Sequence, residues 1–191
     1  MTDKAPVKER LLKAAAELFY NDGIAATGID AITAHARVAK MSLYNNFASK
    51  AELVDTYIRA RYSVWQERYR ERLKQAATPQ ERILTVFDSY ADYATHEDAH
   101  GFRGCGLLNA AAELPIGDSG RASVTAQKTE VESLFRAYLR EIRPTTDDVL
   151  DETAQHLSFL LEGAMSRAGL EGHDARLKTA RKIAISILDR F

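Results

Sequence analysis

Lys40-Met41-Ser42-Leu43-Tyr44-Asn45-Asn46-Phe47-Ala48-Ser49-Lys50-Ala51-Glu52-Leu53 is the stretch on which the fold turns. Leu43 and Phe47 stand four apart, one helical turn, so both face inward on a short helix over residues 40–47. Ser49 to Glu52 then has the spacing of a capping box, in which a hydroxyl caps the new helix and a carboxylate three residues on reaches back. Working upstream, Thr27-Gly28-Ile29-Asp30 has the same spacing and predicts a helix from about Gly28 to Ala36. Before it, Val7, Leu11, Leu12, Ala15, Leu18 and Phe19 recur every three or four residues, with Lys8, Glu9, Lys13 and Glu17 opposite. That is one amphipathic helix, stopped by Gly23. A helix, a turn of about four residues and a second short helix is the geometry that lays one helix in the major groove of DNA.

At 100° per residue, inward-facing Leu43 and Phe47 leave Met41 and Asn45 facing outward, with Ser42 and Tyr44 beside them. An Asn amide can bond both edges of adenine, Met41 can touch a thymine methyl, and the two hydroxyls can reach bases or phosphates. The same letters also suit an ordinary solvated helix. Lys50 is unusual, because a cation in a first helical turn is disfavoured by about 0.3–1 kcal/mol. A phosphate would satisfy both the ammonium and the helix terminus; extension into water is the other outlet.

Downstream the pattern lengthens without changing type. Val54, Tyr57, Ile58, Tyr62, Trp65, Tyr69 and Leu73 form one long stripe, and Thr78-Pro79-Gln80-Glu81 opens the next helix, continued by Ile83, Val86, Phe87, Tyr90 and Tyr93. Leu107 to Leu114, Val131 to Ile142, Leu150 to Ala164 and Leu177 to Leu188 are further helical segments. No stretch alternates as a strand would. The expected class is all-α, divided into residues 1–52 and 53–191.

The 191 residues are 46% hydrophobic and 28% charged, with a formal charge of −1, values that exclude a disordered or low-complexity chain. Residues 1–52 hold seven Lys and Arg against six Asp and Glu. Composition alone therefore does not announce nucleic-acid binding; the placement of the charges must. The single cysteine, Cys105, excludes an internal disulfide and a multi-cysteine zinc site. The opening MTDKAPVKER has no apolar signal segment, and no stretch approaches the roughly 20 apolar residues of a membrane span, so the cytoplasm is the expected compartment.

Two motifs imitate enzymes. His96-Glu97-Asp98-Ala99-His100 matches the zinc-protease pattern H-E-x-x-H, but Gly101 follows at once and no third ligand is evident. Gly117-Asp118-Ser119-Gly120 echoes the nucleophile loop of trypsin-like proteases, whose fold is all-β. Neither supports catalysis, and no metal or cofactor is expected.

The runs Thr27 to Ile32, Ala36 to Phe47 and Ser49 to Leu53 together resemble the DNA-binding segment of the TetR family of transcriptional regulators, over about residues 8–53. The resemblance implies an all-α homodimer, most often a repressor released from a palindromic operator by a small molecule. It also implies a three-helix amino-terminal domain followed by a larger ligand-binding and dimerising domain. By matched position, Thr27 and Lys50 would contact phosphate, and Lys40, Met41, Ser42, Tyr44, Asn45 and Asn46 would form the recognition helix. Two positions depart from the family pattern. Arg37 stands where Gly is common, which puts a side chain on a turn that Gly fits easily and offers a backbone contact. Ala39 stands where a Ser or Thr cap is common, a loss of ~1 kcal/mol.

For the effector, Tyr62, Trp65, Tyr69, Phe87, Tyr90 and Phe159 are candidate aromatic lining, with core packing as the plain alternative. Glu113, His156 and Glu162 are polar residues on otherwise apolar helices. Cys105 is a candidate redox-sensitive thiol, or else a small buried hydrophobe. The last two helices, through Leu150 to Ala164 and Leu177 to Leu188, are expected to pair across a two-fold axis.

Overall fold

The computed structural model describes residues 5–94 and 101–191. Among them are nine helices and no strand: α1 (Val7–Asp22), α2 (Ile29–His35), α3 (Lys40–Tyr44), α4 (Lys50–Leu73), α5 (Pro79–Ala94), α6 (Gly106–Glu113), α7 (Ser119–Ile142), α8 (Asp147–Glu171) and α9 (Ala175–Leu188). None of these helices is long and apolar enough to cross a membrane. The H-E-x-x-H motif at His96–His100 lies outside the described residues.

The chain forms two compact units. The first runs to Tyr62 and also takes Gly106–Val124; the second holds Ser63–Cys105 and Thr125–Phe191. In the first, α1 packs on α2, α3 and α6. Its interior holds Leu11, Ala15, Phe19, Ile32, Leu43, Phe47, Leu53, Tyr57 and Ile58, all essentially without solvent exposure. The Phe19 and Tyr57 rings meet edge to face at 5.5 Å. In the second unit, α9 lies against α8 and α5. The small Ala180 and Ala184 let it approach closely; elsewhere in this unit the buried Phe87 and Phe135 rings meet at 5.8 Å.

Local side-chain chemistry explains three of the helix starts. The Ser49 hydroxyl accepts from Glu52 N–H at 3.1 Å, and the Glu52 carboxylate accepts from Ala48 N–H at 2.7 Å. At α5, Thr78 Oγ1 accepts from Glu81 N–H at 3.2 Å, while Glu81 Oε2 accepts from Ala77 N–H at 2.7 Å and Thr78 N–H at 3.0 Å. The protease-like Gly117–Gly120 run is a helix start too, with Asp118 Oδ1 accepting from Gly120 N–H at 2.8 Å. The box expected at Thr27–Asp30 does not form. α2 has Gly28 at its cap position without a side-chain bond, because the Thr27 hydroxyl turns inward and donates to Gly23 C=O at 2.6 Å.

The apolar stripes expected to join two subunits are internal. Leu150, Ala154, Leu157 and Leu161 of α8, and Leu177, Ala180, Ala184 and Leu188 of α9, are buried within one chain. The exposed apolar residues on these helices are different ones: Val149, Phe159, Leu170 and Ile183.

The backbone N–H groups of Thr78 and Ala77 hold the Glu81 carboxyl below its ordinary range. A carboxylate with a depressed folded pKa contributes stability above its unfolded value, and that contribution disappears as pH falls through the folded one. Glu81→Gln should therefore melt below wild type at pH 7, and the gap should close as the pH is taken below about 4. A gap independent of pH in thermal melts would contradict the assignment.

Candidate nucleic-acid interface

The α2–α3 pair is held from below and open above. Ile32, Leu43 and Phe47 are sunk in the core of the first unit, while Met41 is 69% and Tyr44 49% exposed. Lys40 and Asn45 are exposed with them, and Ser42 and Asn46 are partly so. Regular α3 ends at Tyr44, but Asn45 N–H still reaches Met41 C=O and Phe47 N–H reaches Leu43 C=O. The helical path thus continues far enough to put the Asn45 amide on the outer face. Two of the expected reading residues are tied locally: Asn46 Nδ2 donates to Ser42 C=O at 2.7 Å, and Lys40 Nζ pairs with Asp30 at 2.8 Å. The Asp30 carboxylate raises the Lys40 pKa, keeping the ammonium charged.

The turn before α3 carries the cost that its sequence implies. Arg37 has φ +54, the one positive φ at a non-glycine among the described residues, a region unfavourable for side chains by roughly 1–2 kcal/mol. It is held there because Arg10 Nη2 donates to both Ala36 C=O (2.7 Å) and Arg37 C=O (2.9 Å). Ala39, at the α3 cap, makes no side-chain bond.

The α1–α2 turn is gripped from three places. Gly23 adopts φ +93, a backbone angle that requires glycine, and a Cβ there would lie 2.9 Å from Glu113 Oε1 and push that carboxylate aside. Glu113, at the end of α6, accepts from Ile24 N–H at 3.0 Å and Ala25 N–H at 2.7 Å. Lys50 Nζ donates to Ile24 C=O at 2.6 Å, which saturates one of its hydrogens and places its charge at this turn. Thr27, 3% exposed, closes the turn from inside. Thr27, Lys50 and Glu113 are therefore turn-holding residues here, whatever else they touch.

The other effector candidates separate. Trp65 stacks on Tyr69 (5.2 Å, 2° between planes) and tilts against Tyr90 at 5.5 Å. The Tyr69 hydroxyl meets that of Tyr138 at 2.8 Å, and burial with this contact pushes its pKa up. Cys105 is buried and joins Tyr90 through a residue the sequence reading passed over, Lys128. Lys128 Nζ lies 2.6 Å from Glu162 Oε1, 3.3 Å from the Tyr90 hydroxyl and 3.6 Å from Cys105 Sγ. Burial drives the Lys128 pKa down, but Cys105, Tyr90 and Glu162 outweigh it and hold the ammonium above its ordinary value. The available signal was a lysine at the spacing of Val124 and Val131, on the buried face of α7. Phe87 is core, packed on Phe135. His156 and Phe159 are exposed on α8, Phe159 at 68%, and Tyr62 falls in the first unit. Among the described residues no three His, Cys, Asp or Glu side chains are grouped to hold a metal.

Residues 11–57 match the profile of the family described as bacterial regulatory proteins, tetR family. The HTH-type transcriptional repressor KstR2 of Mycobacterium tuberculosis is 35% identical over 89 residues, 47% of this chain and 44% of that protein. The HTH-type transcriptional activator FasR of Mycolicibacterium smegmatis is 31% identical over 104 residues, covering 53% and 47%. The chain thus spans under half the length of these curated relatives. Among solved structures, that of SCO4454, a TetR-family transcriptional regulator from Streptomyces coelicolor, superposes with a TM-score of 0.87 at 25% identity, covering 96% of this chain and 95% of that one.

Two substitutions test the turns. Arg37→Gly should raise stability by about 0.5–1 kcal/mol by relieving the left-handed backbone, read by denaturant midpoint; a fall would mean the Arg37 side chain holds the turn. Glu113→Ala should speed amide exchange at Ile24 and Ala25 by about tenfold, since each loses a charge-assisted acceptor, whereas unaltered exchange would show that the carboxylate restrains nothing.

Proposed function

Because the chain belongs to the tetR family of bacterial regulatory proteins, we propose that it is a dimeric repressor that binds a palindromic operator in the cytoplasm and is released by a small molecule. The observation that carries this reading is the outward set on α3. Met41, Tyr44 and Asn45 project from a helix whose other face, Leu43 and Phe47, is fully buried. Asn45 and Met41 read base edges in the major groove, and Ser42, Asn46 and Tyr44 add hydroxyl and amide contacts. Lys40, Arg37 and Lys50 face phosphates, with Thr27 at the start of α2. On binding, phosphate competes with Asp30 for Lys40 and with the Ile24 carbonyl for Lys50.

Two copies are needed to meet two half-sites about 34–36 Å apart. The exposed apolar residues of α8 and α9 support that assembly. Phe159 and Leu170, eleven residues apart, share one face of α8, and Gly163 between them has open space above it. Val149 and Ile183 are further exposed apolar residues on these two helices. Such a patch is what a self-complementary two-fold contact buries. The effector acts in the second unit, and α4 runs without interruption from Lys50 in the first unit to Leu73 in the second. By linkage, an effector that weakens DNA binding is itself weakened by DNA to the same factor. The relatives are regulators, and this reading assigns the chain no catalysis of its own.

Selection from a random DNA pool should recover a palindrome; recovery of no enriched sequence, with the protein a monomer in solution, would end the proposal. Against that site, Lys50→Ala should flatten the salt dependence by about one unit of log-log slope across all sequences. Asn45→Ala should instead change base preference, so a uniform loss across operator variants would contradict direct reading by its amide.

A further inference from the structure

The Lys128–Glu162 pair is neutral as a unit, but it is not satisfied. The Lys128 ammonium has three hydrogens and three partners, Glu162 Oε1, the Tyr90 hydroxyl and Cys105 Sγ, and it lies 5.1 Å from the Tyr90 ring centre. Its capacity to donate is exhausted. Glu162 is the reverse: its second oxygen, Oε2, is shielded from solvent and accepts no hydrogen bond among the described residues. A carboxylate oxygen without a donor is costly where water is excluded. Directly next to this pair, the Tyr90, Trp65 and Tyr69 rings form a continuous aromatic row.

We propose that Glu162 Oε2 and the Trp65–Tyr90 row are the anchor of the effector site, and that the effector is an uncharged, flat, largely apolar molecule bearing a hydroxyl. The inference rests on the regulator reading given above and supplies the ligand class for it. The hydroxyl donates to Oε2, and the rings cover the apolar body. An anionic ligand finds no spare hydrogen on Lys128 and meets the Glu162 charge. A cationic one is repelled by Lys128, which already occupies the face of Tyr90.

Trp65 is the sole tryptophan in the chain, so its emission, excited above 295 nm in the 191-residue chain, reports the site without DNA. Three probes of one shape separate the chemistry: 4-ethylphenol, its methyl ether 4-ethylanisole, and 4-ethylbenzoate. The phenol should change Trp65 emission saturably and bind about tenfold or more tightly than either of the others, the ratio set by one buried donor–acceptor pair. Glu162→Gln keeps an oxygen for Lys128 and turns an amide N–H₂ toward the ligand, so the preference for phenol over ether should collapse; circular dichroism confirms that the variant is folded. Equal affinity for phenol and ether, tighter binding of the benzoate, or no saturable response to any probe in wild-type protein overturns the proposal. DNA binding measured on the same preparation tells this failure apart from failure of the regulator reading.

Discussion

A helix of five residues has no stability of its own; in water, isolated helices shorter than about 12–15 residues are marginal. α3 exists because Leu43 and Phe47 are driven into the core against α1, a burial that contributes about 1.5–3 kcal/mol for each large side chain. Everything proposed for recognition depends on that anchoring. It fixes which side chains are left outside, and it does so with apolar groups that carry no information about DNA. The reading surface is the complement of the anchoring surface.

The same economy shapes the turns around it. The α1–α2 turn buries Ile24 and is also secured by polar groups brought from elsewhere, the Glu113 carboxylate on its N–H side and the Lys50 ammonium on its carbonyl side. The α2–α3 turn is secured by the Arg10 guanidinium gripping two successive carbonyls. That grip keeps Arg37 in a conformation that glycine would adopt without strain. Charged side chains here position backbone, and only a subset is turned toward solvent.

The all-helical class and the buried face of each helix were legible in the sequence, because periodicity reports them directly: Leu11, Leu43, Phe47, Ile83 and Phe135 are all fully buried. Capping was legible where it was local. Ser49 and Thr78 make their boxes, whereas Thr27 fails because its hydroxyl finds the Gly23 carbonyl first. Periodicity shows that a face is apolar and not what covers it, and so Leu157 and Ala184 pointed to a subunit contact while being covered by their own chain. The partners of Glu113 and Lys128 were not legible, for a different reason. The first reaches residues 88 and 89 positions away, and the second meets partners from α5, α8 and the segment before α6.

The first unit is assembled from two separated stretches of chain, with α6 arriving from residues beyond position 105. The first unit is thus not a detachable amino-terminal module. An exchange of gene segments that transplanted only the amino-terminal stretch would carry away Gly23, Ile24 and Ala25 but leave their carboxylate clamp behind. The turn and its clamp are separated by 88 and 89 positions of sequence, so neither is complete without the other.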